Sequence, residues 1–156
     1  MGRPAKLWGL TPAADRFFPD GHAELTIGLI SAVREAFGPR GLDRLVSIRS
    51  ARQLKGYRAR IPQRASLRRR LEALAGIRTE EGYIAEVQDQ EDGSFLLVEN
   101  HCPICAAASA CTGLCSAELE VFQGALGPGV QIARTEHIVA GARRCAYRVT
   151  KLGPAG

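Results

Sequence analysis

Five cysteines are the residues of this sequence whose type and spacing point to chemistry. Thiolates bind zinc, cuprous copper and iron–sulfur clusters, and a tetrahedral site needs four donors that converge on one point. An odd number of cysteines without a recognisable export signal argues against structural disulfides, because reducing cytosol keeps thiols free. The cysteines therefore predict a metal or redox site. Four of them are crowded into residues 102–115 and one stands apart: Cys102, Cys105, Cys111, Cys115 and Cys145.

The spacing of the cysteines leaves several ligand sets open. Cys102 and Cys105 are separated by two residues, and Pro103 favours a turn there, so both thiols can reach one metal ion. Cys111 and Cys115 are one helical turn apart and would share a helical face. We prefer Cys105 over Cys111 as the fourth ligand, because a turn aims thiolates inward at a metal site. Cys111 is then the alternative ligand or a spare thiol.

Two histidines are reserve ligands, since an imidazole nitrogen also binds zinc and iron. His101 adjoins Cys102, and His137 lies on the predicted hairpin that bears Cys145. Catalysis would need a nucleophile paired with a base, and Glu136 and His137 beside Cys145 are explained more economically as part of that hairpin. The closely spaced cysteine pair also lacks the preceding βαβ pattern of a thiol–disulfide oxidoreductase. We therefore expect a binding module and not an enzyme.

The first half of the chain has the periodicity of helices. Apolar residues at three- and four-residue spacing predict a helix over residues 21–37 that ends at Gly38-Pro39. Two further helices are expected over residues 41–61, with a strongly basic polar face, and 66–78. A short helix is expected after Thr11-Pro12. The stripe of the 21–37 helix is the most apolar and is the natural dimer seam: Leu25, Leu29, Ala32, Val33 and Ala36.

The second half has the pattern of a small antiparallel sheet. β-type runs at 83–88 and 94–99 flank Asp92-Gly93, which is a hairpin turn signal. A helix is expected after the cysteines and before Gly127-Pro128-Gly129, and a second hairpin over residues 130–139 and 143–150. Because one strand ends at Asn100, the sheet can bring Cys145 close to the other cysteines. The predicted class is α+β, with dimerisation-type helices followed by the sheet and a cysteine-rich helical connection.

The charge of the chain is unevenly distributed along the sequence. Twelve Lys and Arg residues lie between Arg40 and Arg78, against the acids Asp43 and Glu72. A basic half indicates a polyanionic partner, although solvated faces of amphipathic helices give the same pattern. No stretch approaches the roughly 20 apolar residues of a membrane helix. We expect a cytoplasmic protein without a membrane partner.

Several motifs of the second half occur together in one known family. They are Glu99-Asn100-His101-Cys102-Pro103-Ile104, Leu114-Cys115, Glu118-Leu119, Arg134-Thr135-Glu136-His137, Gly141 and Arg144-Cys145-Ala146-Tyr147-Arg148-Val149. Together they resemble the sensor domain of the Suf-operon repressor family, winged-helix transcription regulators that hold an iron–sulfur cluster. The resemblance implies that Cys102, Cys115 and Cys145 ligate one cluster, of the 4Fe–4S type more than the 2Fe–2S type. Where the family has a further cysteine this chain has Gly129 or a neighbour, so Cys105 or Cys111 must complete the site.

The resemblance extends to the start of the chain. Gly2-Arg3-Pro4 with Leu10-Thr11 is similar to the last wing strand of the family's DNA-binding domain, and Phe18-Pro19 follows it. It implies a wing remnant and linker over residues 1–20, a dimerisation region over 21–80 and a sensor domain over 81–152. The helices that read DNA would then be largely missing from this chain, with DNA and a second copy as partners. The last hairpin also resembles 4-vinyl-reductase-like domains, which implies the alternative of a zinc-stabilised small-molecule-sensing or structural domain.

Overall fold

Residues 21–152 are described by the computed structural model, and they contain four helices and one four-stranded antiparallel sheet. The α+β class predicted from the sequence is confirmed. The expected wing remnant and the short helix after Thr11-Pro12 lie outside the described residues. The elements are α1 Gly21–Arg60, α2 Leu67–Glu80, β1 Ala85–Asp89, β2 Phe95–Glu99, α3 Cys105–Ala110, α4 Gly113–Leu126, β3 Val130–Glu136 and β4 Cys145–Lys151.

Helix α1 has a kink where the sequence predicts a break between two helices. Gly38 has φ 68° and ψ −178°, and Pro39 follows it. Proline disfavours the α conformation of the residue before it and has no N–H to donate, whereas glycine tolerates a positive φ. The kink therefore divides α1 into a first arm, residues 21–37, and a second arm, residues 39–60.

Helix α2 begins and packs as its sequence predicts. Ser66 is its N-cap, and the Ser66 hydroxyl accepts a hydrogen bond from the backbone N–H of Arg69 at 3.4 Å. Leu67, Leu71 and Leu74 lie on one face of the helix and are buried in the main core. The helix contacts β1 and β2, so it packs on the β1–β2 half of the sheet.

The sheet has the strand order β1-β2-β4-β3. Asp92-Gly93 forms the first hairpin turn, with Gly93 at φ 77°. The second hairpin differs from the prediction, because β3 ends at Glu136 and not at residue 139. Ile138–Ala140 forms a 3-10 turn instead, closed by Gly141 at φ 94°, and β4 begins only at Cys145. A turn at Ala140-Gly141-Ala142 was predicted between the two strands, and the left-handed Gly141 lies in it. The earlier end of β3 and the 3-10 turn before Gly141 were not predicted.

Two hydrophobic clusters hold the elements together. The main core lies between the sheet and helices α2 and α4, and its largest buried apolar side chains include Phe122, Leu71 and Tyr147. A smaller cluster joins the second arm of α1 to α3 and α4: Leu42, Val46, Ala107, Cys111 and Leu114. Within residues 21–152, no helix is both long enough and apolar enough to cross a membrane.

Candidate metal centre

Strands β2 and β4 bring distant cysteines to the same end of the sheet. In the antiparallel register, Glu99 at the end of β2 lies opposite Cys145 at the start of β4. The chain leaves β2 after Glu99 and reaches Cys102 three residues later. The backbone pairing of the two strands therefore places Cys145 beside the segment that carries the first two cysteines, as the sequence predicts.

Cys102 and Cys105 flank a turn that opens helix α3. The backbone N–H of Cys105 donates to the carbonyl oxygen of Cys102 at 3.2 Å, and Cys105 is the first residue of the helix. A turn between these two residues was predicted from Pro103 and is confirmed. Burial raises the pKa of the Cys102 thiol to about 12, although an N–H···S hydrogen bond from Ile104 acts in the opposite direction.

Cys115 and Cys145 lie on elements that pack against this turn. Cys115 is in the first turn of α4 and is buried, and its carbonyl oxygen accepts a hydrogen bond from the Arg134 guanidinium. Cys145 is buried in the main core, and its Sγ accepts a hydrogen bond from the backbone N–H of Ile138 at 3.5 Å. Burial raises the pKa of both thiols.

The thiols of Cys102 and Cys115 each lie within electrostatic range of the thiols of Cys105 and Cys145. Burial is the largest cause of the raised pKa of Cys102, and the thiols of Cys105 and Cys145 raise it further. Burial is also the largest cause of the raised pKa of Cys115, and the same two thiols contribute to it. All five cysteines of the chain are free thiols, so none of these neighbours is joined by a disulfide. The set that the sequence favoured, with Cys105 as its fourth member, is therefore a set of neighbours.

Cys111 lies elsewhere and packs as a small apolar residue. It is the C-cap of α3, with φ −144° and ψ 88°, and therefore does not share a helix with Cys115. The expectation that these two cysteines face together on one helix is wrong, because the backbone leaves the helical conformation at Cys111 and a new helix begins at Gly113. The Cys111 side chain is buried with Leu42 and Val46 of the second arm.

The two reserve histidines have different surroundings. His101 is exposed, and its backbone N–H donates to the carbonyl oxygen of Tyr83 at 3.1 Å. His137 precedes the 3-10 turn, and its Nε2 is buried without a hydrogen-bond partner within residues 21–152. Burial lowers the pKa of His137, and the nearby charge of Arg134 lowers it as well. A neutral imidazole with a buried, unpaired nitrogen has the electronic state of a metal ligand.

A buried ionic network lies beneath the four thiols. Arg78 of α2 is fully buried, and its Nε donates to Glu99 Oε1 at 2.5 Å. Its other nitrogens donate to Glu118 of α4 and, at 3.1 Å each, to the Tyr57 hydroxyl and Glu81. Burial raises the pKa of Glu99 to about 7, against the lowering effect of Arg78. The network thus joins α1, α2, α4 and the sheet next to the candidate centre.

One feature of the sequence indicates this network, although Arg78 was not among the predicted site residues. Arg78 follows Leu71 and Leu74 at helical spacing, so it occupies a position on the apolar stripe of α2. A charged residue on a buried stripe must be paired, because an isolated buried charge is costly. The partners Glu99 and Glu118 come from residues distant in sequence, and only the fold identifies them.

The thiols are neighbours, but they do not form a set of ligands that is already assembled. Within residues 21–152, no group of three or more histidine, cysteine, aspartate or glutamate side chains is placed so that it could hold a metal ion. The donor chemistry nevertheless suits a soft metal, since free thiols and the buried, unpaired Nε2 of His137 are the donor types that such metals prefer. A comparison with protein-family models found no match, and a search of curated proteins also found none.

Proposed function

We propose that this chain binds a thiolate-ligated metal centre and serves as the sensor domain of a transcription regulator. Cys102, Cys105, Cys115 and Cys145 would be the ligands, and a 4Fe–4S cluster is the occupant that the family resemblance favours. The main supporting observation is that the β2–β4 pairing sets Cys145 opposite Glu99, three residues before Cys102, while Cys111 packs elsewhere. Cys102 and Cys115 also each lie within electrostatic range of Cys105 and Cys145. Four thiolates are also the donor number that clusters of this kind require.

Backbone donors around the thiols support the same set of ligands. The N–H of Ile138 donates to Cys145 Sγ, and the N–H of Ile104 donates to the Cys102 sulfur. Hydrogen bonds to ligand sulfurs stabilise negative thiolate charge and tune the potential of iron–sulfur clusters. Arg134 lies close to Cys115 and adds a positive charge on the same side of the group. A bound cluster would supply oxygen- or redox-sensitive chemistry at this position.

Helix α3 connects the proposed centre to the long helix α1. Cys105 is the first residue of α3, and Ala107, two residues later, packs on the second arm through Leu42 and Val46. The Arg34 guanidinium of the first arm donates to the carbonyl oxygen of Ala110, at the end of α3, at 2.9 Å. A change at the centre that moved α3 would therefore be transmitted to both arms of α1.

DNA is proposed as the partner on the basis of the family resemblance, through winged-helix elements that are not among residues 21–152. The second arm would add DNA binding that does not depend on base sequence, because Arg44, Arg52 and Lys55 are exposed on its outer face. Contacts of basic side chains with phosphates weaken steeply with salt and do not distinguish one sequence from another. We therefore expect this chain alone to bind DNA weakly and in a strongly salt-dependent manner.

The experiment that tests the centre is metal and sulfide analysis of anaerobically purified protein, with five single cysteine variants. We expect iron and acid-labile sulfide in the wild type and after reconstitution, and loss of most of both in Cys102→Ser, Cys105→Ser, Cys115→Ser and Cys145→Ser. Cys111→Ser is the matched control, because it removes a buried thiol outside the group. Full metal content in one of the four variants would remove that residue from the site, and loss in Cys111→Ser alone would overturn the assignment.

Structural zinc is the second candidate, and the burial of Cys145 favours it. The Cys145 thiol belongs to the main hydrophobic core. A structural metal ion that is ligated by a core residue contributes directly to the free energy of folding. With zinc the domain would be a structural or small-molecule-sensing unit without a redox response. One zinc per chain in a colourless, air-stable protein would establish this alternative over the iron–sulfur cluster.

A further inference from the structure

Arg134 of β3 is a largely buried cation beside the candidate centre, and one of its nitrogens has no partner. Its side chain is 16% exposed, and its guanidinium lies over the Tyr147 ring at 5.3 Å from the ring centroid. One terminal nitrogen donates to the carbonyl oxygen of Cys115 and lies 3.9 Å from a carboxylate oxygen of Glu118. Arg134 Nε is buried and has no hydrogen-bond partner within residues 21–152.

The unpaired Nε is a feature of Arg134 and not of buried arginines in this fold. A buried donor without an acceptor costs free energy, because water no longer solvates it. Arg78, the fully buried arginine of the ionic network, has an acceptor for each of its three nitrogens. The same core can therefore pair a guanidinium completely, and the Nε–H of Arg134 remains available for an acceptor.

The Cys115 sulfur is the acceptor that the surroundings of Arg134 favour. Arg134 is anchored to the backbone of Cys115 itself. Burial raises the pKa of the Cys115 thiol, and the positive charge of Arg134 lowers it. A protonated thiol is only a weak acceptor, whereas a metal-bound cysteine is a thiolate, which accepts strong charge-assisted hydrogen bonds. Metal binding therefore creates an acceptor that the thiol form does not offer.

We propose that Arg134 is a positioning residue of the centre, whose Nε–H donates to the Cys115 thiolate and whose charge offsets that of the ligands. A divalent ion with four thiolates keeps two net negative charges, and buried charge requires compensation. Arg78 is already paired with Glu99 and Glu118, whereas the contact of Arg134 with Glu118 is long. This role rests on the proposed four-thiolate centre and adds to it a residue that is not a ligand.

The Zn²⁺ affinity of the full-length chain, measured by competition with a chelator, tests this role. We expect Arg134→Gln to weaken Zn²⁺ binding by roughly tenfold to a hundredfold, as the loss of hydrogen bonds to ligands does at other metal sites. Arg134→Lys keeps the charge without the Nε–H and should fall between Arg134→Gln and the wild type. Arg148→Gln is the matched control, because Arg148 pairs with Asp92 at an exposed position of the neighbouring strand β4. Circular dichroism checks that each variant is folded.

The outcomes of this series separate the role of Arg134 from the centre itself. Equal affinities of Arg134→Gln and the wild type overturn the role, and wild-type affinity in Arg134→Lys shows that charge alone suffices and overturns the hydrogen bond. The imidazole of His137, whose buried Nε2 is also unpaired, is the competing acceptor. If the loss in Arg134→Gln disappears in a His137→Ala background, Arg134 serves His137 and not Cys115. A wild type that binds no Zn²⁺ overturns the four-thiolate centre together with the role of Arg134.

NMR spectroscopy tests the hydrogen bond in the wild-type chain, without a substitution in the core. ¹¹³Cd²⁺ is bound in place of Zn²⁺, and arginine is labelled with ¹⁵N. An N–H···S hydrogen bond to a ligating sulfur transmits a scalar coupling between the cadmium nucleus and the donor proton. We expect this coupling at one arginine Nε–H, whose signal is absent from the spectrum of Arg134→Lys. A cadmium-loaded chain in which the Arg134 Nε–H shows no such coupling overturns the inference.

Discussion

Arg78 and Glu99 form a buried ion pair, with 2.5 Å between Arg78 Nε and Glu99 Oε1. Neither side chain has more than a trace of exposed surface. Glu99 ends β2 opposite Cys145, and Arg78 lies on α2, so the pair ties a helix to the strand end that carries the candidate centre. Glu118 supplies a second carboxylate to Arg78. The contribution of both ion pairs to the free energy of unfolding can be measured separately from metal binding.

Removal of the Arg78 guanidinium is expected to destabilise the fold strongly. Arg78→Met leaves Glu99 buried without a cation and Glu118 with only the more distant Arg134, at 3.9 Å. We expect the free energy of unfolding to fall by about 3–5 kcal/mol. Urea denaturation followed by circular dichroism measures this change. Arg60→Met is the exposed control, because the Arg60–Glu80 pair lies at the surface and is worth at most about 1 kcal/mol. Equal stability of the two variants would show that the buried network is not needed for folding.

Neutralising both carboxylates is expected to recover part of that loss. Glu99→Gln and Glu118→Gln keep the shape of the side chains while removing the charges that Arg78→Met leaves unpaired. We therefore expect the triple variant to be more stable in urea than Arg78→Met alone. A triple variant no more stable than Arg78→Met would show that the lost packing of the Arg78 side chain on Tyr83, and not uncompensated charge, causes the destabilisation.

The visible absorption of the purified protein is expected to identify the metal in the centre. A 4Fe–4S cluster gives an anaerobically purified protein that is brown, with broad visible absorption that bleaches in air. Zinc has no redox chemistry and gives neither property. Visible spectra recorded before and after exposure to air, beside iron and zinc analysis of the same sample, measure the difference. A colourless sample with one zinc per chain would contradict the iron–sulfur assignment.

His137 is expected to bind the small fraction of metal that a variant lacking one thiolate still retains. Its buried Nε2 has no partner within residues 21–152, whereas His101 is exposed. We expect His137→Ala alone to leave the metal content unchanged, and Cys105→Ser/His137→Ala to retain less metal than Cys105→Ser. Metal analysis and the affinity for a competing chelator measure the effect. If His101→Ala lowers metal retention in the Cys105→Ser background and His137→Ala does not, the role of His137 is wrong.

The three tyrosines of the chain are expected to ionise only when the protein unfolds. Burial raises the pKa of Tyr57 to about 12 and also raises the pKa of Tyr83 and Tyr147 above the ordinary value of 10.0. Because the pKa is raised in the folded state, the protonated phenols stabilise the fold relative to the unfolded chain. This contribution is complete below pH 10.0 and is lost as the pH rises through about 12.

A spectrophotometric titration of tyrosinate, with circular dichroism in parallel, measures this behaviour. We expect no tyrosinate in the native chain at pH values where the chain unfolded in urea is already half ionised. Tyr57→Phe removes one of the three groups and should lower the total absorbance change by one third. Ionisation of one tyrosine near its ordinary pKa, with the fold intact, would contradict the burial of that residue.

Local patterns in the sequence were sufficient for most of the secondary structure. The break at Gly38-Pro39, the N-cap at Ser66 and the turn at Asp92-Gly93 are each set by the backbone preferences of a few adjacent residues. The second hairpin was placed less well, because its 3-10 turn at Ile138–Ala140 has an apolar sequence that is also compatible with a strand. Such a choice depends on packing and not on local preference.

The sequence alone determined the inventory of the candidate site: five thiols, a preferred pairing of Cys102 with Cys105, and a strand that could return Cys145 to them. Tertiary structure decided which thiols are neighbours. It placed Cys111 against the second arm, turned the predicted apolar seam towards solvent, and buried Arg78 between two distant carboxylates. The physical reason is that periodicity identifies a face of a helix or strand but not what covers it. Burial and charge pairing depend on residues far apart in the chain, which only folding brings into contact.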